Sequence, residues 1–179
     1  MQARQGNQAA WSELVALHQQ GIFRMAYLKL ADEQEAEEVA QETFVRAFRK
    51  LDQFDEERPL RPWLLGICVN LCRNRRRALG RYLAVIRRWS RDRGPDAAQT
   101  TGQSMDDDVQ LLWSVIKRMD GRDQDIIYYR FFMDLKVAET AEVMGVAPGT
   151  VKSRQHRAVE RLRGLMQRAA PDWLEDLKG

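Results

Sequence analysis

Between residues 36 and 48, apolar side chains return at Ala36, Val39, Ala40, Thr43, Phe44, Ala47 and Phe48. That alternation of three and four steps lines up one face of an α-helix. Glu35, Glu38, Gln41, Glu42, Val45, Arg46 and Arg49 fall on the remaining faces, so the helix has a mostly acidic exterior and must bury its stripe against neighbours. Asp32 is placed as its N-cap, with Glu35 in a box-like position and further acids near the positive end of the helix dipole. The helix is expected to run to about Leu51. Upstream, Trp11, Leu14, Val15, Leu17, Ile22, Met25, Ala26 and Leu28 repeat the period; Gly21 either separates two helices there or is carried within one.

Glycine (11) and proline (5) are scarce among the 179 residues, and hydrophobic residues make up 44% of them. With Ala, Leu, Glu, Gln, Arg and Met dominant, the chain is expected to be all-α. Pro59 and Pro62 make Phe54 to Pro62 a loop, because proline restricts the residue before it. A further helix is expected to start near Pro62 and to run through WLLGICVNLCRNRRRALG. After Trp89 the apolar period fades into Gly94, Pro95 and a run of Gln, Thr, Gly and Ser, the composition of a linker. The expectation is two small helical domains, 1–79 and 109–170, joined by a flexible linker at 80–108 and followed by a tail at 171–179.

Charge is strongly segmented. Residues 32–57 carry ten acids against three bases, residues 58–93 eleven arginines against one acid, and residues 148–168 six bases against one acid. Two separate basic blocks point to two contacts with a polyanion. The only cysteines, Cys68 and Cys72, sit four apart on one helix face; with no third soft ligand nearby they read as core rather than as a metal or redox pair. The sequence shows no signal-peptide pattern and no apolar run near 18 residues, so no membrane insertion and a cytoplasmic, reducing location are expected. Without a glycine-rich phosphate loop, paired histidine ligands or a nucleophile–base set, no enzyme activity, cofactor or metal is expected.

In the C-terminal half, Leu112, Val115, Ile116 and Met119 mark one helix, and Ile126, Ile127, Tyr129, Phe131 and Phe132 a second. VAETAEVMGVAPGTVKSRQHRAVERLR then has helix-turn-helix chemistry. Ala141 is small where two helices cross, Gly145 suits a left-handed turn ending the first, Pro148 starts the second, and Val151 pins it to the first. Val151, Ala158, Val159 and Leu162 are expected to face inward, and Thr150, Lys152, Ser153, His156 and Arg157 to face a DNA groove. Solvated charges on an amphipathic helix are the plain alternative; the coincidence of turn signature and basic face favours DNA.

EAEEVAQETFVRAFRKL, PWLLGICVNLCRNRRR and GTVKSRQHRAVERLR, in that order and spanning about Ala10 to Met166, resemble the characteristic stretches of the sigma-70 family in its extracytoplasmic-function (ECF) branch. The resemblance implies a subunit that binds core RNA polymerase, through the β′ clamp and the β subunit, and directs promoter recognition, −10 melting and initiation. It implies that Glu38, Gln41, Glu42, Val45 and Arg46 dock on the basic clamp. Phe54, Arg58, Trp63, Asn70, Arg73, Asn74, Arg75 and Arg76 would hold the separated strands of the −10 element, where flipped bases need aromatic and amide groups and the backbone needs cations. Trp63, beside Leu64 and Leu65, reads equally as core or as a stacking platform. Thr150, Lys152, Ser153, Arg154, His156, Arg157 and Arg161 would read the −35 element.

The linker of such factors threads the polymerase, where Asp106, Asp107 and Asp108 would either imitate phosphates or simply start a solvated helix. Arg81, Arg87, Arg88, Arg91 and Arg93 would meet either promoter DNA or acidic polymerase groups. The chain departs from the family pattern at Ala138 and Thr140, which weakens the core of the motif slightly. It begins at the first conserved domain, so regulation is expected from outside, by an anti-sigma factor. The alternative is a conventional helix-turn-helix regulator that binds duplex DNA without polymerase; it would leave the acidic and arginine-rich helices unexplained.

Overall fold

The computed structural model describes residues 7–89 and 107–170. All regular structure among the described residues is helical, and the chain divides into two compact units, Met1–Thr100 and Thr101–Gly179.

In the first unit, α1 (Gln8–Leu30), α2 (Glu33–Arg49) and α3 (Leu60–Trp89) pack pairwise against one another. Asn7 caps α1 by accepting from the Ala10 N–H at 3.1 Å, and Gly21 is carried within the helix. Ala31 ends α1 in the left-handed region at φ 56°. Asp32 caps α2 as expected, accepting from the Glu35 N–H at 2.8 Å. The α-helix stops at Arg49, and a 3₁₀ turn, Leu51–Gln53, then buries Leu51.

The α2 stripe is the centre of this core. Ala36, Val39, Ala40, Thr43, Phe44 and Ala47 are buried against Leu14, Ile22, Met25 and Ala26 of α1 and Leu64, Leu65, Cys68, Val69 and Cys72 of α3. The Thr43 hydroxyl donates to the Val39 carbonyl at 2.7 Å, so its polar atom is paired where it is buried. Phe48 departs from the expected stripe: it is 55% exposed at the edge and meets Trp11, with ring centroids 5.1 Å apart.

The third helix begins at Leu60 with Pro62 in its first turn and continues through Gly80 to Trp89. The sequence reading began the linker at residue 80. The helix takes its first ten residues instead, because one glycine costs only about 1 kcal/mol among flanking strong helix formers. Arg81, Arg87 and Arg88 therefore lie along α3. Residues 90–106, with Arg91, Arg93 and Asp106, and the tail 171–179 lie outside the described residues.

In the second unit, α4 (Asp107–Arg118), α5 (Gly121–Ile127) and α6 (Val137–Met144) contribute to a core completed by α7 (Pro148–Ala169), which contacts all three. Asp107 and Asp108 form the first turn of α4. The second expected helix does not stay α-helical to its end. At Tyr128–Phe132 it widens into a π turn, closed by the Met133 N–H on the Tyr128 carbonyl at 2.9 Å. That turn keeps Tyr128 and Tyr129 buried and leaves Phe131 outside.

Cys68 and Cys72 are both buried, and the Cys68 thiol donates weakly to the Ile22 carbonyl at 3.7 Å. Hydrogen bonding to Cys72, together with burial, pushes the Cys68 thiol well up, which suits packing rather than reactivity. Next to them is the half-buried Lys29. Burial lowers its pKa to about 8, with the nearby Arg76 and Arg73 adding to the effect and the cysteines opposing it. The unfolded chain holds that proton up to about 10.4. Between the two values the unfolded state binds more protons, so stability rises with pH across that window, and the full penalty applies below pH 8. Urea unfolding at stepped pH is expected to show this rise. Lys29→Met is expected to remove it and to be more stable than the parent at pH 7.

Candidate nucleic-acid interfaces

The buried stripe of α2 turns Glu38, Gln41, Glu42, Val45 and Arg46 to one side. All five line a single shallow groove of about 620 Å³, with Leu71, Asn74, Arg75 and Ala78 of α3 forming the far wall. Its charge differs from the acidic face read from sequence. Arg46 donates through Nε to Glu42 Oε1 at 2.7 Å, and that bond holds the Glu42 carboxyl below its usual range. Arg75 Nη1 donates to Glu35 Oε2 at 2.5 Å and to Glu38 Oε2 at 2.9 Å, and these two carboxylates raise the guanidinium pKa further. Each carboxylate of the groove therefore already has an arginine of the same chain. Beyond Val45, which lines both, Trp11, Phe44 and Phe48 form a more apolar groove of about 540 Å³.

The residues expected to hold separated strands divide between the length of α3 with its preceding loop, the α2 groove and the core. Phe54 is only 6% exposed and tilts against Trp63, with centroids 4.8 Å apart. In this packing its ring supports Trp63 and presents little surface to solvent. Trp63 is half-buried in the first turn of α3. Arg76 lies thirteen positions further along the helix, about 20 Å away. Asn70, Arg73 and Arg76 are exposed, with Arg73 reaching Asn70 Oδ1 at 3.3 Å. Arg58 is exposed on the preceding loop, 3.5 Å from Asp55. Asn74 and Arg75 line the α2 groove, where the ion pairs just described hold Arg75 on α2.

In the second unit the turn geometry is as the sequence implies. Gly145 ends α6 in the left-handed region at φ 64°, where any other residue type would be strained. The Val146 N–H then reaches the Ala141 carbonyl at 3.0 Å, and Pro148 opens α7. Ala141, Val151 and Ala158 are buried, with Val159 and Leu162 half-buried beside them. Thr140 is fully buried, yet its hydroxyl donates to the Lys136 carbonyl at 2.9 Å, so this departure from the family pattern leaves no unpaired group.

Outward from that core, Lys152, Ser153, His156 and Arg157 are exposed and Thr150 and Arg154 half-buried. Ser153 donates to the Thr150 carbonyl at 3.1 Å, and Arg157 to the Ser153 carbonyl at 3.2 Å. Arg161 differs: its Nη1 lies 2.5 Å from Oδ2 of Asp123, a carboxylate only 13% exposed on α5. One Nη of this exposed side chain therefore ties α7 to α5. Sequence reasoning also missed Arg130, which donates to Gln155 Oε1 at 2.9 Å and to the Leu135 carbonyl, tying α7 to the segment before α6. No spacing rule links Arg130 to Gln155 or Asp123 to Arg161; only the folded contact does.

Removing Arg161 leaves a mostly buried carboxylate unpaired, so Arg161→Ala is expected to destabilise α5 and α7 by about 1–2 kcal/mol, the arginine's own exposure limiting the loss. Arg157→Ala is expected to stay within about 0.5 kcal/mol of the parent. Amide hydrogen exchange of α5 in the full chain distinguishes the two.

Comparison with known proteins agrees with both units. Residues 14–82 match the family model described as Sigma-70 region 2, and residues 115–164 match Sigma-70, region 4. The chain is 28% identical over 181 residues to the ECF RNA polymerase sigma factor SigW of Bacillus subtilis, covering 90% of this chain and 91% of that one. It is 30% identical over 172 residues to the RNA polymerase sigma factor NccH of Alcaligenes xylosoxydans xylosoxydans, covering 92% and 91%. The solved structure of CnrH in complex with the cytosolic domain of CnrY superposes with a TM-score of 0.68 at 28% identity, covering 93% of each chain. With both regions in order and relatives matched across nearly their whole length, the chain belongs to the extracytoplasmic-function branch of the sigma-70 family.

Proposed function

We propose that this chain binds bacterial core RNA polymerase and directs it to one class of promoters, with 1–79 engaging polymerase and the −10 element and 109–170 engaging the −35 element. The observation that carries the docking assignment is that Glu38, Gln41, Glu42, Val45 and Arg46 line one groove, with Val45 supplying apolar contact between charged neighbours. Such a surface suits a basic coiled-coil clamp, because charge complementarity sets register and encounter rate while the apolar centre supplies affinity.

Trp63, Asn70, Arg73 and Arg76 are assigned to the unpaired −10 strand, with Arg58 on the adjoining loop. The stacking ring and amide take bases and the guanidiniums take backbone phosphates. Thr150, Lys152, Ser153, Arg154, His156 and Arg157 are assigned to the −35 duplex, the cations to phosphates and Lys152 or Ser153 to base edges. The chain itself catalyses nothing in this reading. It shifts the closed-to-open equilibrium of the promoter by binding exposed bases better than paired ones. It acts in the cytoplasm, where polymerase and DNA are, and no described helix is long and apolar enough to cross a membrane. An anti-sigma protein that occludes these faces fits the same reading, as CnrH is seen with a bound domain of CnrY.

Glu42→Arg places a cation in the centre of the groove. It is expected to weaken binding to sigma-free core polymerase at least tenfold, measured by anisotropy of the labelled chain, while leaving the helical circular dichroism unchanged. Parental affinity in that variant would remove α2 from the docking surface.

A further inference from the structure

Arg75 sits in the most cationic run of the first unit, flanked by the exposed Arg73, Arg76 and Arg77, yet it alone of these four is shown reaching across to α2. Its Nη1 is shared by Glu35 and Glu38. Glu38 also lines the groove assigned above to the polymerase clamp. Glu38 thus pairs with Arg75 and also lines the surface where, on that assignment, a polymerase cation would dock. All three side chains are partly exposed, at 35% for Arg75, 46% for Glu35 and 50% for Glu38. Pairs that wet are weak, so a clamp bringing several cations into the groove can displace this one.

We infer that Arg75 is a latch: Glu35 and Glu38 hold it on α2 in the free chain, and polymerase docking takes Glu38 and releases the guanidinium to the phosphate backbone of the strand held by α3. The inference rests on the assignment of the α2 groove to polymerase. Docking and DNA binding on this unit are then coupled through one side chain, and by linkage DNA held by Arg75 in turn favours clamp binding. The weakness of the pair makes the coupling modest and strongly dependent on salt.

The test is a mutant cycle on the full chain, read as affinity for fluorescein-labelled oligothymidylate at low salt. Glu35→Gln with Glu38→Gln is expected to raise the affinity of the free chain about fivefold, the scale set by one exposed ion-pair network. In an Arg75→Gln background the same pair of changes is expected to give almost no gain. Glu33→Gln with Glu37→Gln removes the same charge from α2 without touching Arg75 and is expected to give less than about twofold. An equal gain with and without Arg75, or an equal gain from the control pair, would show a general charge effect and overturn the latch. The same oligonucleotide on the polymerase-bound chain adds the second half: Arg75→Gln is expected to weaken binding there and to leave the free chain unchanged. Loss in both states would mean that Arg75 is never held back. Failure of the chain to bind polymerase at all would defeat the docking assignment, a result separate from the free-chain cycle.

Discussion

The burial of Ala36, Val39, Ala40, Thr43, Phe44 and Ala47 against α1 and α3 fixes which side chains of α2 face out and which wall of α3 they face. Because a helix turns about 100° per residue, locking that stripe leaves Glu38, Gln41, Glu42, Val45 and Arg46 no other direction. The same packing places Arg75 opposite Glu35 and Glu38 and sets Arg73 and Arg76 near Lys29. Both surfaces of the first unit are thus consequences of one core, and a slip of α2 by a single position would scatter them together.

The second unit solves a different problem with the same means. A recognition helix must present a wet, cationic face at a fixed angle, and here α7 is held by Val151 and Ala158 in the core, by Arg161 on Asp123 and by Arg130 on Gln155. Gly145 supplies the left-handed residue that lets α6 and α7 cross closely. The side chains that remain outside, from Lys152 to Arg157, are then presented by a rigid frame and not by a loop, which is what reading a DNA groove requires.

Local rules made much of this legible before any coordinates. The Asp32 cap, the α2 stripe, Pro148 and Gly145 each act within a few residues of themselves, so periodicity and turn chemistry suffice to find them. Contacts that a distant partner decides are not legible in this way. Phe54 looked available as an aromatic on a polar loop, but Trp63 and the core cover it. Arg75 and Arg161 looked like free cations in basic runs, but carboxylates 37 to 40 positions away hold them. The linker is expected from residue 80, whereas α3 runs on to Trp89. The acidic character of α2 is real in composition, and Arg46 and Arg75 partly offset it within the groove.

In the proposed function the α2 groove and the α7 face serve one polymerase-bound complex. The most direct measurement mixes the full chain with sigma-free bacterial core polymerase, follows co-elution, and then scores transcripts from a pool of promoter fragments. Stable co-elution with initiation confined to a subset of fragments that share two spaced elements is the predicted result. No association with polymerase, together with tight binding of duplex DNA by the chain alone, would contradict it.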